Sequence, residues 1–212
     1  MARANAGDPT AIVELCLSRA VEAEPIGFAK LAMGKPSRKL FKALPRTLAQ
    51  VDRGLLDLFV RLAAGEAPWP LLLWGGVGCG KTMAGLCFLD FGYGSYWSLE
   101  TLCDGVMRQE RPWLDDPSLI VIDEIGERRK AGELQCTTLK AVLDHREMNS
   151  QRVGVYISNL SPSDLAGLYD DRIASRLTAG SVFHLGGQDR RHEDPPADDL
   201  AARNPPPNTY LR

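Results

Sequence analysis

Hydrophobic and polar positions fall in blocks along this chain, and the blocks change period. Residues 9–23 carry Ile12, Val13, Leu15, Cys16, Leu17 and Val21 at helical spacing, with Asp8 or Thr10 as caps. After Arg46-Thr47, Leu48, Val51, Leu55, Leu58, Phe59 and Leu62 recur every three or four residues and stop at Gly65, which predicts a second helix. Leu71-Leu72-Leu73-Trp74 and Leu119-Ile120-Val121-Ile122 are short, apolar throughout, and match parallel strands covered on both faces. Residues 95–98, 153–158 and 182–185 read as three further strands. Helical stretches lie between them: 83–91, 99–109, 132–149 with Leu134, Leu139, Val142 and Leu143 inward, a short helix opened by Ser161-Pro162, and 171–177. Five strands alternating with helices predict an α/β domain on a parallel sheet with right-handed crossovers.

Two stretches break the alternation. Pro25 to Pro45 is a connector interrupted by Gly27, Gly34 and Pro36. From Ile26 to Arg53 the chain holds seven basic residues (Lys30, Lys35, Arg38, Lys39, Lys42, Arg46, Arg53) against one acidic residue, Asp52. From Gly186 onward, Pro195, Pro196 and Pro205 to Pro207 predict a mostly disordered tail. The expected organisation is an N-terminal helix and basic connector over 1–45, one globular core over 46–191 and a Pro-rich tail over 192–212. The net charge of −2 neither requires nor excludes nucleic acid, and the basic stretch leaves it open. No run approaches eighteen apolar residues, and the N-terminus lacks the apolar centre of a secretory signal, so a soluble cytoplasmic protein without a membrane partner is expected. Cys16, Cys79, Cys87, Cys103 and Cys136 have no metal-type spacing and read as free thiols, most of them core filler.

The chemistry sits after the first apolar strand. Gly75-Gly76-Val77-Gly78-Cys79-Gly80-Lys81-Thr82 fits G-x-x-x-x-G-K-[ST], with the strand before it and the helix after it that a phosphate-binding loop needs. Polyphosphate must lie against several backbone N–H groups at once, so side chains near the turn have to be absent. The helix beginning near Gly80 aims free N–H groups at the same place. Lys81 then supplies a point charge for the β and γ oxygens, and the Thr82 hydroxyl suits a magnesium ion. Cys79 fills a variable slot of the loop. A nucleoside triphosphate, ATP with Mg2+, is the expected ligand.

Asp123 and Glu124 end an apolar strand about forty residues later. Ligands of open α/β sheets bind at the carboxyl ends of strands, so this pair should face the phosphates. Asp123 can hold magnesium through water, while Glu124 orients and polarises the water that attacks the γ-phosphate. The pair favours hydrolysis over transfer to a small molecule. Asn159 ends the next strand, where a short amide can hold the attacking water or simply close its own turn. Arg172 and Arg176 are spaced i, i+4 on one helix. They are either a solvated face pairing with Asp170 or Asp171, or a source of an arginine supplied in trans to a neighbour's γ-phosphate.

Taken together, Gly-Gly-Val-Gly-Cys-Gly-Lys-Thr, Leu-Ile-Val-Ile-Asp-Glu-Ile-Gly, Tyr-Ile-Ser-Asn-Leu and Asp-Arg-Ile-Ala-Ser-Arg-Leu resemble the DnaC/IstB family of AAA+ ATPases over about residues 45–191. That family contains helicase loaders and the ATPase helpers of some transposases. The resemblance implies a P-loop NTPase of the AAA+/ASCE type with a five-stranded parallel sheet. It also implies Walker A at 75–82, Walker B at Asp123-Glu124, sensor 1 at Asn159 and an arginine finger at Arg172 or Arg176, with the Ser-Arg-Leu context favouring Arg176. No helical lid domain fits after the last strand, in agreement with the family. The short N-terminal segment has no cysteine cluster, unlike loaders with a zinc-binding N-terminal domain.

The function implied is a DnaC-like ATPase. It would assemble as an ATP-dependent homo-oligomer on a replicative helicase and help place it on single-stranded DNA. An IstB-like helper acting with a transposase on duplex DNA is the near alternative, and an adaptor that binds ATP without turnover is the distant one. A small-molecule kinase would need an arginine-rich lid over its substrate, which this sequence lacks.

Overall fold

The structure is a computed structural model that describes residues 51–63, 65–91, 94–111, 119–127, 131–148 and 153–189. The expected N-terminal helix and connector, and the tail beyond residue 189, lie outside the described residues. In chain order the elements are α1 (Arg53–Ala63), β1 (Leu71–Trp74), α2 (Lys81–Phe91), β2 (Gly94–Ser98), α3 (Leu99–Met107), β3 (Leu119–Ile125), α4 (Glu133–Glu147), β4 (Val153–Ser158), α5 (Pro162–Leu168), α6 (Asp171–Thr178) and β5 (Ser181–His184). All five strands run parallel, in the order β2-β3-β4-β1-β5.

The apolar runs become strands because both faces of the sheet are covered. Leu71, Leu73, Val121, Val155 and Ile157 enter one core, closed by Leu55, Phe59 and Leu62 of α1 and Met83, Cys87 and Phe88 of α2. Leu72, Ile120, Ile122 and Tyr156 point the other way, against Leu102 of α3, Leu139 and Val142 of α4, Leu165 of α5, and Ile173 and Leu177 of α6. Each fully buried Leu or Ile contributes about 1.5–3 kcal/mol, so β1, apolar on both sides, serves two cores at once. The helix α2 is apolar around most of its circumference because it is wedged between the sheet and α1, where the Phe59 and Phe88 rings meet at 4.8 Å.

Capping residues set where the helices begin. Ser98 Oγ accepts from Thr101 N at 3.1 Å, so α3 starts directly off β2 with no intervening loop. Ser161 and Asp164 form a reciprocal capping box at α5, with Pro162 in its first turn. Asp170 Oδ1 accepts from Ile173 N at 2.8 Å and caps α6. Three strands differ from the expected bounds, β2 by beginning at Gly94 instead of Ser95. β5 begins one residue earlier, at Ser181, whose N–H donates to Pro70 O at 2.8 Å. β3 continues past Asp123-Glu124 to Ile125, so the acidic pair lies inside the strand's terminal bulge instead of closing the strand.

The approach of β5 to β1 rests on a missing side chain. Gly180 lies flat against the backbone of Trp69 and Pro70, and a Cβ there would overlap the Pro70 carbonyl. Gly180→Ala should therefore destabilise the domain by about 1–3 kcal/mol. Gly167→Ala, in α5 with open space around it, should be neutral or stabilise by up to about 1 kcal/mol. Urea unfolding midpoints of the two variants check the contrast.

Candidate nucleotide-binding site

The loop begins where β1 runs out. Gly75 N donates to Ser158 O of β4 at 3.3 Å, and the chain then turns through Gly80 into α2. Gly78 and Gly80 have φ of +79° and +107°, a region that side-chain-bearing residues avoid, which is why glycine is needed there. Val77 is exposed at the tip, while Cys79 is wholly buried beneath it. The Lys81 side chain is buried and folds back into the loop, with Nζ donating to Gly75 O at 3.0 Å and Gly76 O at 2.6 Å. A cation thus sits inside a ring of backbone, satisfied by carbonyls that an anion's oxygens would replace.

The acidic pair is positioned by a bulge. Ile122 of β3 pairs with Tyr156 and Ile125 with Ser158, so three residue steps on β3 match two on β4. Glu124 absorbs the extra residue with φ +63°, a conformation costing on the order of 1–3 kcal/mol for a non-glycine residue. The effect is to separate the two carboxylates. Asp123 is 4% exposed and turns toward α2, while Glu124 is exposed at the sheet's carboxyl edge. Asp123 Oδ2 accepts from Thr82 Oγ1 at 2.6 Å and from the Tyr96 hydroxyl at 2.8 Å, and Oδ1 accepts from Glu124 N at 2.7 Å.

Asn159 follows β4 and is exposed. Ser158 beside it donates to Ile125 O at 2.6 Å and accepts from Leu160 N at 3.0 Å, tying the end of β4 to the end of β3. Because β3, β4 and β1 are neighbours, the fold brings Lys81, Thr82, Asp123, Glu124 and Asn159 to one edge of the sheet. The two arginines of α6 are elsewhere. Arg176 lies in the last turn, next to the amino end of β5 and thus at the opposite edge of the sheet. Its guanidinium contacts Asp144 and lies 3.0 Å from Glu147 Oε2, both on α4. These acids, not Asp170 or Asp171, are its partners. Arg172 is exposed in the first turn.

The Thr82 hydroxyl and the Asp123 carboxylate form a pair of hard oxygen donors 2.6 Å apart. Magnesium keeps several waters and takes phosphate oxygens, so it needs only one or two protein oxygens of this kind. Among the described residues no group of three His, Cys, Asp or Glu forms a separate metal cluster. The residues present therefore fit a magnesium ion that arrives with a nucleotide.

Three features of the site are invisible to motif reading. Tyr96 looks like an ordinary strand residue, yet its hydroxyl lands on Asp123. Burial first, and the Asp123 charge second, push that hydroxyl far above its usual range, so it remains a proton donor. A signal existed: a phenol on a strand next to one that ends in acids has an acceptor within reach. Trp74 and His184, paired across β1 and β5, stack at 4.1 Å beside the loop. Asp189, in the stretch after Gly186 expected to be mostly disordered, lies across the loop with its carboxylate packed against Gly78, filling the space a Cβ would occupy.

A loop after the strand between β4 and β5, with an acidic strand end beyond β4, is the arrangement of the P-loop fold of the AAA+ type. No protein-family model and no curated protein matches the sequence. Solved structures share its fold. The DnaC helicase loader aligns with a TM-score of 0.54 at 19% identity, covering 69% of this chain and 96% of that one. DnaI aligns with a TM-score of 0.57 at 15% identity, covering 74% and 96%. A DNA replication initiation factor aligns at 0.56 and 16% identity over 68% of this chain, which spans 50% of that protein's length. The domain thus has the DnaC-like AAA+ fold.

The Asp189 contact has a measurable consequence. A carboxylate against the phosphate cradle opposes an incoming polyphosphate by roughly 1 kcal/mol in a solvated setting. Asp189→Ala and Asp189→Asn should each tighten ATP binding about fivefold. The gain should shrink as salt is raised from low to physiological ionic strength. Calorimetric titration at two salt concentrations measures both.

Proposed function

We propose that this chain binds ATP with magnesium at residues 75–82 and hydrolyses it as a helicase-loader-like ATPase acting on DNA. The observation carrying the reading is the convergence of Lys81, Thr82, Asp123, Glu124 and Asn159 on the carboxyl ends of three adjacent strands. In this reading the loop N–H groups and Lys81 bind the β and γ phosphates, with the Lys81 ammonium exchanging the Gly75 and Gly76 carbonyls for phosphate oxygens. Thr82 and Asp123 would hold the magnesium ion, which offsets negative charge on the phosphate oxygens. Exposed Glu124 takes the proton side of the attacking water, and Asn159 orients that water or the γ-phosphate. The bulge supports this division, since it buries one carboxylate and presents the other.

The partner reading rests on the fold likeness to DnaC and on the basic connector preceding the domain. We place a replicative helicase on the N-terminal segment and single-stranded DNA on the ATPase core. No helix among the described residues is long and apolar enough to cross a membrane, and we assign the protein to the cytoplasm. A transposase with duplex DNA is the partner set to compare. Purified chain with ATP should raise helicase loading on single-stranded DNA, whereas stimulation only by duplex DNA and a transposase would overturn the loader assignment.

Glu124→Gln separates binding from chemistry. ATP affinity should stay within about threefold, while hydrolysis in the presence of DNA and partner falls at least 100-fold, on the scale of a lost catalytic carboxylate. Lys81→Ala should abolish binding in a direct titration. Turnover of Glu124→Gln within twofold of the parent would sink the catalytic assignment, and unchanged affinity of Lys81→Ala would sink the loop.

An arginine from α6 completes the site in trans in this reading, with Arg176 the favoured residue and Arg172 the exposed second. To serve, Arg176 must exchange Asp144 and Glu147 for a neighbour's phosphate, an exchange of one charge-assisted set for another. Specific activity should then rise with protein concentration. Arg176→Ala mixed with Lys81→Ala should recover activity that neither has alone, because mixed assemblies contain interfaces with one intact loop and one intact finger. A finger is worth on the order of 10³-fold in rate, so partial recovery is measurable. Its absence in proven co-assemblies would leave Arg176 as an intrachain tie.

A further inference from the structure

We propose that Tyr96 is a positioning residue for magnesium, acting through Asp123 on the Thr82 hydroxyl; this rests on the reading that Thr82 and Asp123 hold the ion. The argument counts lone pairs and protons. A carboxylate offers about four acceptor sites, two on each oxygen, and a threonine hydroxyl offers one proton and two lone pairs. Asp123 Oδ2 receives Thr82 Oγ1 at 2.6 Å and the Tyr96 hydroxyl at 2.8 Å, which fills it. Oδ1 receives Glu124 N at 2.7 Å, which leaves that oxygen one acceptor site.

Two consequences follow from this tally. Thr82 commits its single proton to Oδ2, so its lone pairs are left for a cation. Tyr96 fixes the carboxylate from β2, which flanks β3 on the edge away from β4. Without that second donor the carboxylate is restrained by Thr82 and by its own neighbour's N–H, and it can swing with Thr82 instead of orienting it. Tyr96 is set for this task by register. It pairs with Val121, two residues before Asp123, and packs on the same core as α2. The competing explanation is that a mostly buried phenol has simply found an acceptor. That explanation predicts a cost in stability and nothing more.

Tyr96→Phe keeps the ring and removes only the O–H. The readout is the coupling between metal and nucleotide: the Kd for the non-hydrolysable analogue AMPPNP in EDTA divided by its Kd in magnesium, measured by calorimetry. Thermal unfolding is followed in parallel. Removing partners that orient ligands typically costs 10–100-fold in metal affinity. The coupling ratio should therefore fall about 10-fold in Tyr96→Phe, while the Kd in EDTA stays within twofold. Tyr156→Phe is the control. Tyr156 is fully buried on the other face of the sheet, so its variant should lose stability without moving the ratio. An unchanged ratio in Tyr96→Phe, or an equal fall in both variants, overturns the proposal. A parent protein that binds AMPPNP no tighter with magnesium than in EDTA overturns the magnesium reading itself, and the proposal falls with it.

Discussion

A carboxylate removed from water must be given donors, and in this domain that requirement is met at Asp123. Its three hydrogen bonds reach α2, β2 and the backbone of the bulge. Remove them and a nearly buried charge would remain uncompensated, at a cost of several kcal/mol. The same bonds fix the distance between the first turn of α2 and the end of β3, two strands apart in the sheet. Loop, acidic pair and sheet edge are therefore one mechanical unit. The two cores hold the strands in register, but this buried carboxylate is what ties the loop's helix to them.

The alternation of apolar runs and helical periods was enough to read the five strands, their parallel direction and the loop. Those features depend on local period and on glycine placement, which a sequence displays directly. The bulge was not legible, because an extra residue in β3 is visible only against its pairing with β4, which neither segment carries by itself. The role of Tyr96 was hidden for a similar reason, since its acceptor lies on another strand. Asp189 falls in the stretch after Gly186 that composition marks as mostly disordered, yet its contact with Gly78 is set by where β5 ends. The spacing of Arg172 and Arg176 suggested local acidic partners. Asp170 instead caps α6, and Arg176 reaches across to α4.

The α6 to α4 contact bears on how such a domain would respond to assembly. Arg176 is held by Asp144 and Glu147 at the end of α4, and the chain continues from α4 toward β4, whose far end carries Asn159. Any neighbour that drew Arg176 away would leave two acids facing each other at the last turn of α4, where carboxylates are least favoured by the helix dipole. The pairing thus gives the isolated domain a reason to keep the guanidinium at home. It also gives an assembled one a local change to transmit along a single strand.

Glu124 illustrates how the demands on one position can diverge. Its left-handed backbone suits glycine or asparagine better than glutamate, so Glu124→Gly should relieve strain and raise stability. The carboxylate at that place is nevertheless what the proposed chemistry uses. A laboratory selection for thermal robustness alone would drift toward glycine at residue 124, and in doing so would discard the carboxylate on which the proposed hydrolysis depends. In the proposed reading, the strained residue is where stability is traded for reactivity.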